Sequence, residues 1–416
     1  MMNNNIANQE KAFRKLSRLK VGALFMDTGS GKTKTALDLI NSKVKKIDNV
    51  LWICPCSLKN EIEAEKEKWY PNLEMDIVGC ESIGSSNRIY LETLNKVKSG
   101  RTFIVVDESL KIKNRWAKRT RRILEIGEHS KYRLILNGTP LSRNILDMWT
   151  QMQFLSPKIL NMSFNEFKNT YCEYYTKGKL KGKVRSECNV PHLISLIEPY
   201  IFESKLEIET EKNYHTEYYY LNNYDAYEAY KDKIFDEYYN ELEDDLNFNA
   251  FTIALQKWYC DFKNSNKKEV LQETIDRIND KVIVFVRYLS SIPDGSESIT
   301  GDDNMQSRKD KIKAFKEGKF NVLYITYGCG AYGLNLQFCK NIIFAEQVWD
   351  YALRVQAEAR IYRIGQGERV DYYDLTCCDI GLENLISDCI IKKDNLLYTV
   401  KQEIAKKGAK EWVKSL

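Results

Sequence analysis

The sequence predicts an α/β fold: two parallel-sheet lobes, a helical insertion between them and a C-terminal helical brace. Three observations predict it. Short apolar runs alternate with polar, lysine-rich helical segments over residues 20–140, as expected of a parallel sheet covered on both faces. The same alternation returns after residue 280. Between the two, residues 155–280 are rich in Tyr, Glu, Lys and Asn and have few strand-like runs, so they read as helical.

In the first lobe, residues 1–154, the expected strands are Val50–Cys54, Phe103–Val106 and Arg133–Leu136, with the apolar run Val21–Phe25 ahead of them. Residues 155–280 form the insertion and inter-lobe linker. The second lobe, residues 281–380, has expected strands Val282–Val286, Val322–Ile325, Asn341–Phe344 and Val370–Tyr373. In residues 381–416, Leu382, Leu385, Ile386, Cys389 and Ile390 recur at helical spacing. They give the brace an apolar stripe that packs back on the lobes.

A chain of 416 residues that is 43% hydrophobic can bury two or three cores, so a single small binding module is excluded. No apolar run approaches the ~20 residues of a membrane span. The start of the chain lacks a basic region followed by an apolar stretch, so no secretory signal is expected and the expected location is cytoplasmic. Eleven cysteines without paired Cys-x-x-Cys spacing are expected to be reduced thiols. A net charge of +5 permits nucleic-acid binding through a local groove without requiring it.

The sharpest motif is Met26-Asp-Thr-Gly-Ser-Gly-Lys-Thr33, set between the apolar run Val21–Phe25 and the helical Lys34–Ile40. Glycines let backbone N–H groups converge on phosphate oxygens at a helix N-terminus. The lysine reaches the outer phosphates, and the hydroxyl of Thr33 meets Mg²⁺. The strict pattern opens with Gly where this chain has Met26. The binding set is Thr28, Gly29, Ser30, Gly31, Lys32 and Thr33. Downstream, Phe103-Ile-Val-Val ends in Asp107 and Glu108: Asp107 to hold the metal, Glu108 to orient or deprotonate the attacking water.

These residues resemble helicase superfamily two and, within it, the Swi/Snf family, over nearly the whole chain. Asp107-Glu-Ser-Leu-Lys-Ile-Lys-Asn114 is similar to that family's Asp-Glu-Ala-His-Arg-Ile-Lys-Asn, and Asn137-Gly-Thr-Pro-Leu141 to its Thr-Gly-Thr-Pro-Leu. Cys54-Pro-Cys-Ser-Leu58 resembles its first DNA-contact motif. In the second lobe, Gly330-Ala-Tyr-Gly-Leu-Asn-Leu336 resembles Gly-Gly-x-Gly-Leu-Asn-Leu. Gln356-Ala-Glu-Ala-Arg-Ile-Tyr-Arg-Ile-Gly-Gln366 resembles Gln-Ala-x-x-Arg-x-His-Arg-Ile-Gly-Gln. Two departures stand out: Leu110 and Tyr362 each occupy the place of a family His.

The resemblance implies RecA-like lobes that close around ATP and Mg²⁺. It implies catalytic roles for Lys32, Asp107 and Glu108, with Arg360 and Arg363, expected on one helix face, as arginine fingers. Gln9 would read the adenine, and Gly333 would join the ATP site. DNA contacts would fall on Pro55, Ser57, Gly138, Thr139, Arg308, Thr326 and Asn335, with the basic run Lys113–Arg122 as a flank. The implied function is an ATP-dependent translocase on double-stranded DNA, working as a monomer that takes specificity from a protein partner. Two alternatives are a strand-separating or annealing helicase on branched DNA or RNA, and a nucleotide-gated binding protein with slow hydrolysis.

Overall fold

The computed structural model describes residues 4–138, 145–174, 184–206, 208–240, 245–330, 336–348, 351–363, 365–378, 380–391 and 409–414. The chain divides into two units, Met1–Ile208 and Glu209–Leu416.

The first unit is built on β1 (Val21–Met26), β2 (Asn49–Cys54), β3 (Asp76–Gly79), β4 (Thr102–Val106) and β5 (Tyr132–Asn137), with a closing strand Ile201–Ser204. The sheet order is β3-β2-β4-β5-β1 and then Ile201–Ser204, and every pairing is parallel. Each position of β4 is buried, which explains its unbroken Val, Ile and Phe content: both faces are covered by helices. Helix α1 (Asn4–Leu16) precedes β1 and α2 (Lys32–Asn41) follows it. Because the strands run the same way, the turns after β1, β2, β4 and β5 gather at one edge of the sheet. That edge carries Asp27–Gly31, Pro55, Asp107 and Gly138.

The second unit repeats the plan. Its strands are ordered Ser298–Ile299, Val322–Thr326, Val282–Val286, Asn341–Phe344, Val370–Cys377 and Lys212–Tyr219, again all parallel. Helices Tyr224–Tyr238, Phe248–Tyr259 and Lys267–Ile278 pack on it through Tyr227, Ile234, Phe251, Leu255, Tyr259 and Leu271. Leu382 and Ile386 of helix Gly381–Ile391 are buried in the same core, as is Trp412 of helix Ala409–Lys414. Cys389 and Ile390 have side chains outside the described part. Among the described residues, no helix is long and apolar enough to cross a membrane.

The stretch expected to be helical is mixed. Residues 155–280 hold helices in both units, but also Ile201–Ser204 and Lys212–Tyr219, which sit at the edges of the two sheets. An edge strand has a partner on one side and solvent on the other. Lys212-Asn-Tyr-His-Thr-Glu-Tyr-Tyr219 is accordingly polar, without the apolar run that marks a central strand.

Candidate nucleotide-binding site

β1 ends at Met26 and α2 begins at Lys32, so the intervening turn must reverse direction within five residues. Gly29 and Gly31 make this feasible with φ of 84° and 92°, a region that a side chain disfavours. Ser30 closes the turn, its N–H and Oγ both donating to the Asp27 carbonyl at 3.2 and 2.6 Å. The Lys32 ammonium folds back onto the Met26 carbonyl at 2.7 Å, which holds it over the loop. Thr28 to Thr33 thus form one glycine-shaped cradle at the start of a helix, where unsatisfied N–H groups favour an anion.

Gln9 comes to this cradle from α1. Its Nε2 donates to the Ser30 carbonyl at 2.9 Å, and a Cβ on Gly31 would lie 2.2 Å from the same nitrogen. Glycine is therefore required at position 31 twice over, by φ and by the packed amide. A residue not singled out by the sequence, Asp27, anchors the base of the loop: its N–H donates to the Ser204 carbonyl at 3.1 Å and its carboxylate accepts from Leu206 N–H at 2.9 Å.

The acid pair sits at the end of β4. Asp107 is buried, its N–H donating to the Ile53 carbonyl at 2.8 Å. Burial, reinforced by the neighbouring charge of Glu108 and opposed by that of Lys32, pushes the Asp107 carboxyl up to about 7. Such a carboxylate gains from any added cation. Glu108 has φ of 50°, a left-handed conformation that costs a non-glycine residue about 1–2 kcal/mol. The following turn, Ser109–Ile112, must hold it there. Gly138, at the end of β5, approaches the loop: a Cβ there would stand 3.1 Å from Thr28 Oγ1 and 3.7 Å from Lys32 Nζ.

The other sequence-marked residues are placed unequally. Pro55 is buried and lacks an N–H, and its carbonyl already accepts from Leu58 N–H at 2.9 Å. Ser57 is half-buried in the turn behind it. In the second unit, Thr326 ends its strand half-buried. Arg308 donates to the carbonyls of Asp303 and Thr300 at 3.0 and 3.2 Å, which ties it to its own loop. Thr139, Gly333 and Asn335 lie outside the described residues. In the basic run, Arg122 donates to the Ile83, Gly84 and Ser86 carbonyls at 2.8, 3.3 and 3.2 Å, and Arg119 to that of Lys111 at 2.9 Å. Both brace the fold.

Arg360 and Arg363 do not share a helix face, because helix Tyr351–Glu358 ends before them. Arg360 is buried in the next turn, with Nε on the Gln356 carbonyl at 3.0 Å; Arg363 is half-buried. A second residue that the sequence did not mark, Arg354, fixes this segment. Fully buried, it donates to Glu358 at 2.9 Å, Gln347 at 3.0 Å and Asp374 at 3.1 Å, with its guanidinium 3.5 Å from the Phe344 ring centroid. Gln366 closes the segment by donating to the Gln337 and Cys339 carbonyls at 3.1 and 3.2 Å.

Known domains and proteins resemble both parts of the chain. A model of the SNF2-related domain matches residues 77–243, and one of the helicase conserved C-terminal domain matches residues 266–365. An uncharacterized ATP-dependent helicase of Mycoplasma pneumoniae is 24% identical over 94% of this chain and 42% of its own length. The DNA annealing helicase and endonuclease ZRANB3 of Bos taurus is 23% identical over 84% of this chain and 36% of its own. The chain thus spans about two fifths of the length of these relatives. The Sulfolobus solfataricus SWI2/SNF2 ATPase core in complex with dsDNA aligns with a TM-score of 0.43 at 22% identity, covering 99% of this chain and 96% of that one. With the phosphate loop and acid pair assembled in the first unit, the chain carries in turn a match to the SNF2-related domain and a match to the helicase conserved C-terminal domain, and its relatives are SWI/SNF proteins and ATP-dependent helicases.

Proposed function

We propose that this chain is the motor core of an ATP-dependent translocase on double-stranded DNA. The observation that carries it is the convergence of Gln9, the Thr28–Thr33 loop, Lys32 and the Asp107–Glu108 pair at one sheet edge. In this reading the Gln9 amide meets the adenine, and the loop N–H groups and Lys32 hold the phosphates. Thr33 and Asp107 would hold Mg²⁺, which when bound offsets the charge that develops on the phosphates. Glu108 orients the attacking water and takes up its proton. Arg360 and Arg363 serve as the cations that act on the transferred phosphoryl group, and Gly333 would join the ATP site, as the resemblance implies.

DNA would be held through its phosphates, by hydroxyls and backbone amides at Ser57, Gly138, Thr139, Thr326 and Asn335. Pro55 and Arg308 belong to the same proposed set of DNA contacts. Such contacts carry no sequence information, so a partner protein would direct a monomeric, cytoplasmic motor to its substrate. The names of the relatives, ATP-dependent helicases among them, support this class of activity. Likeness to an annealing helicase favours one second reading, action on branched DNA.

Steady-state ATP hydrolysis, measured alone and with duplex, forked or single-stranded DNA or RNA, tests the proposal. Duplex DNA is expected to raise the rate at least about tenfold, and Lys32→Ala and Glu108→Gln to abolish it. Absence of stimulation by every nucleic acid sinks the motor reading in favour of a nucleotide-gated binding protein. Preference for forks, single strands or RNA favours the helicase alternative.

A further inference from the structure

Glu358 is the hub of a set of contacts that the nucleotide chemistry itself does not use. It ends helix Tyr351–Glu358, two residues before Arg360, and is buried. Its carbonyl accepts from the Ile361 and Tyr362 N–H groups at 3.3 and 3.2 Å and from the Tyr372 hydroxyl at 3.1 Å. The turn that carries Arg360 and leads to Arg363 is thus folded on one oxygen. The carboxylate is shared: Oε1 accepts from Arg354 Nε at 2.9 Å, and Oε2 accepts from the Tyr214 hydroxyl at 3.0 Å and the Lys212 ammonium at 3.4 Å.

Lys212 and Tyr214 open strand Lys212–Tyr219 at the edge of the second sheet. Two apart on a strand, they point to the same face. The Tyr214 ring stacks on Tyr372 at 5.2 Å, and the Lys212 ammonium lies 4.2 Å from the Tyr362 ring centroid. Tyr362 stands where the family that this chain resembles has His. A phenol ring attracts a cation through its face, whereas a protonated imidazole would repel it, so Lys212 and Tyr362 suit each other. Just ahead, Thr210 Oγ1 donates to the Gln366 carbonyl at 2.9 Å. The short stretch 210–214 therefore holds the arginine-bearing segment at both of its ends.

These contacts add little stability, because Tyr214 is 57% exposed and the Lys212 side chain 32% exposed, and surface ion pairs contribute little. What they fix is direction. We propose that Lys212 and Tyr214 are positioning residues for the arginine turn: through Glu358 and Tyr362 they hold Arg360 and Arg363 at the angle needed to meet the transferred phosphoryl group. This rests on the reading above, in which both arginines act on that group. A misplacement of about 1 Å at a reacting centre costs up to about 100-fold in rate. A turn that still samples the correct angle loses less.

Tyr214→Phe removes one exposed hydroxyl, and Lys212→Met removes the charge while keeping the stem. ATP hydrolysis with and without duplex DNA, equilibrium nucleotide binding and thermal unfolding of each, in the full chain beside Arg363→Ala, test the proposal. Each variant is expected to lower kcat about tenfold, with KM for ATP and nucleotide affinity within about twofold of the parent. Melting temperatures should stay within about 2 °C of the parent. A parental kcat in either variant, beside a slow Arg363→Ala, overturns the positioning role and leaves the arginine fingers standing. A loss of nucleotide affinity or of melting temperature in step with kcat overturns it too, since the contacts would then serve only binding or the fold. If Arg363→Ala itself turns over at the parental rate, the finger reading fails first and the positioning role falls with it.

Discussion

The side-chain amide of Gln9 donates to the main-chain carbonyl of Ser30 at 2.9 Å, joining the first helix to the phosphate loop. The group proposed to read the base and the backbone proposed to hold the phosphates are thus joined, and each constrains the other.

Gln9→Ala should therefore raise KM for ATP about tenfold, equivalent to ~1.4 kcal/mol of binding, with kcat changed less than about twofold. It should also narrow the preference for ATP over GTP. Steady-state kinetics with both nucleotides measures this; an unchanged KM and an unchanged preference would remove Gln9 from the site.

Arg363→Ala should lower turnover by about 100-fold or more while leaving ATP binding close to intact, since an arginine finger acts chiefly on charge that develops during transfer. Equilibrium nucleotide binding beside single-turnover hydrolysis separates the two effects. Loss of binding instead would mean that the residue holds the ground state.

Arg354→Ala should destabilise the second unit by about 3–5 kcal/mol, because Glu358 and Asp374 would keep their charges after losing their buried partner. Arg354→Lys should recover little, as an ammonium cannot reach Glu358, Gln347 and Asp374 in the geometry of a planar guanidinium. Thermal unfolding of both variants reads this directly. A Lys variant as stable as the parent would show that charge alone suffices.

Glu383 gives a pH-dependent prediction. Burial pushes its carboxyl up to about 7 from an ordinary 4.5, against the hydrogen bond from Tyr259. The folded state therefore holds the proton more tightly than the unfolded chain. The stability this gives is fully present below about pH 4.5 and is lost as pH rises through about 7. Glu383→Gln, which cannot ionise, should escape that loss of about 3 kcal/mol. Compared with the parent, its melting temperature should improve steadily from pH 5 to pH 8. A difference that does not vary with pH would show that the carboxyl titrates normally.

Much of the fold was legible because central parallel strands are apolar throughout. Each of the expected runs, from Val50–Cys54 to Val370–Tyr373, is a strand in the structure. In the two six-stranded sheets, the strands that escaped, Asp76–Gly79, Ile201–Ser204, Ser298–Ile299 and Lys212–Tyr219, all lie at the edges, where half-solvated backbone tolerates short or polar sequence. At the site, the loop and the acid pair are local patterns and could be read. The Tyr214–Glu358 bond joins positions 144 apart and leaves no periodic trace. Charge alone does not tell which arginines also serve the fold: Arg122 and Arg308 both stand in basic stretches, and each donates to main-chain carbonyls of its own unit. The helix expected to present Arg360 and Arg363 together stops at Glu358, and periodicity does not locate such an end.

Asp27 has a consequence beyond the shape of its turn. It lies between Met26 and Thr28, and both its N–H and its carboxylate bind the stretch from Ser204 to Leu206, just before the first unit ends at Ile208. Strain raised at the proposed ATP loop would thereby reach the stretch that ends the first unit. The phosphate loop is a lever as much as a cradle, with Asp27 its fulcrum.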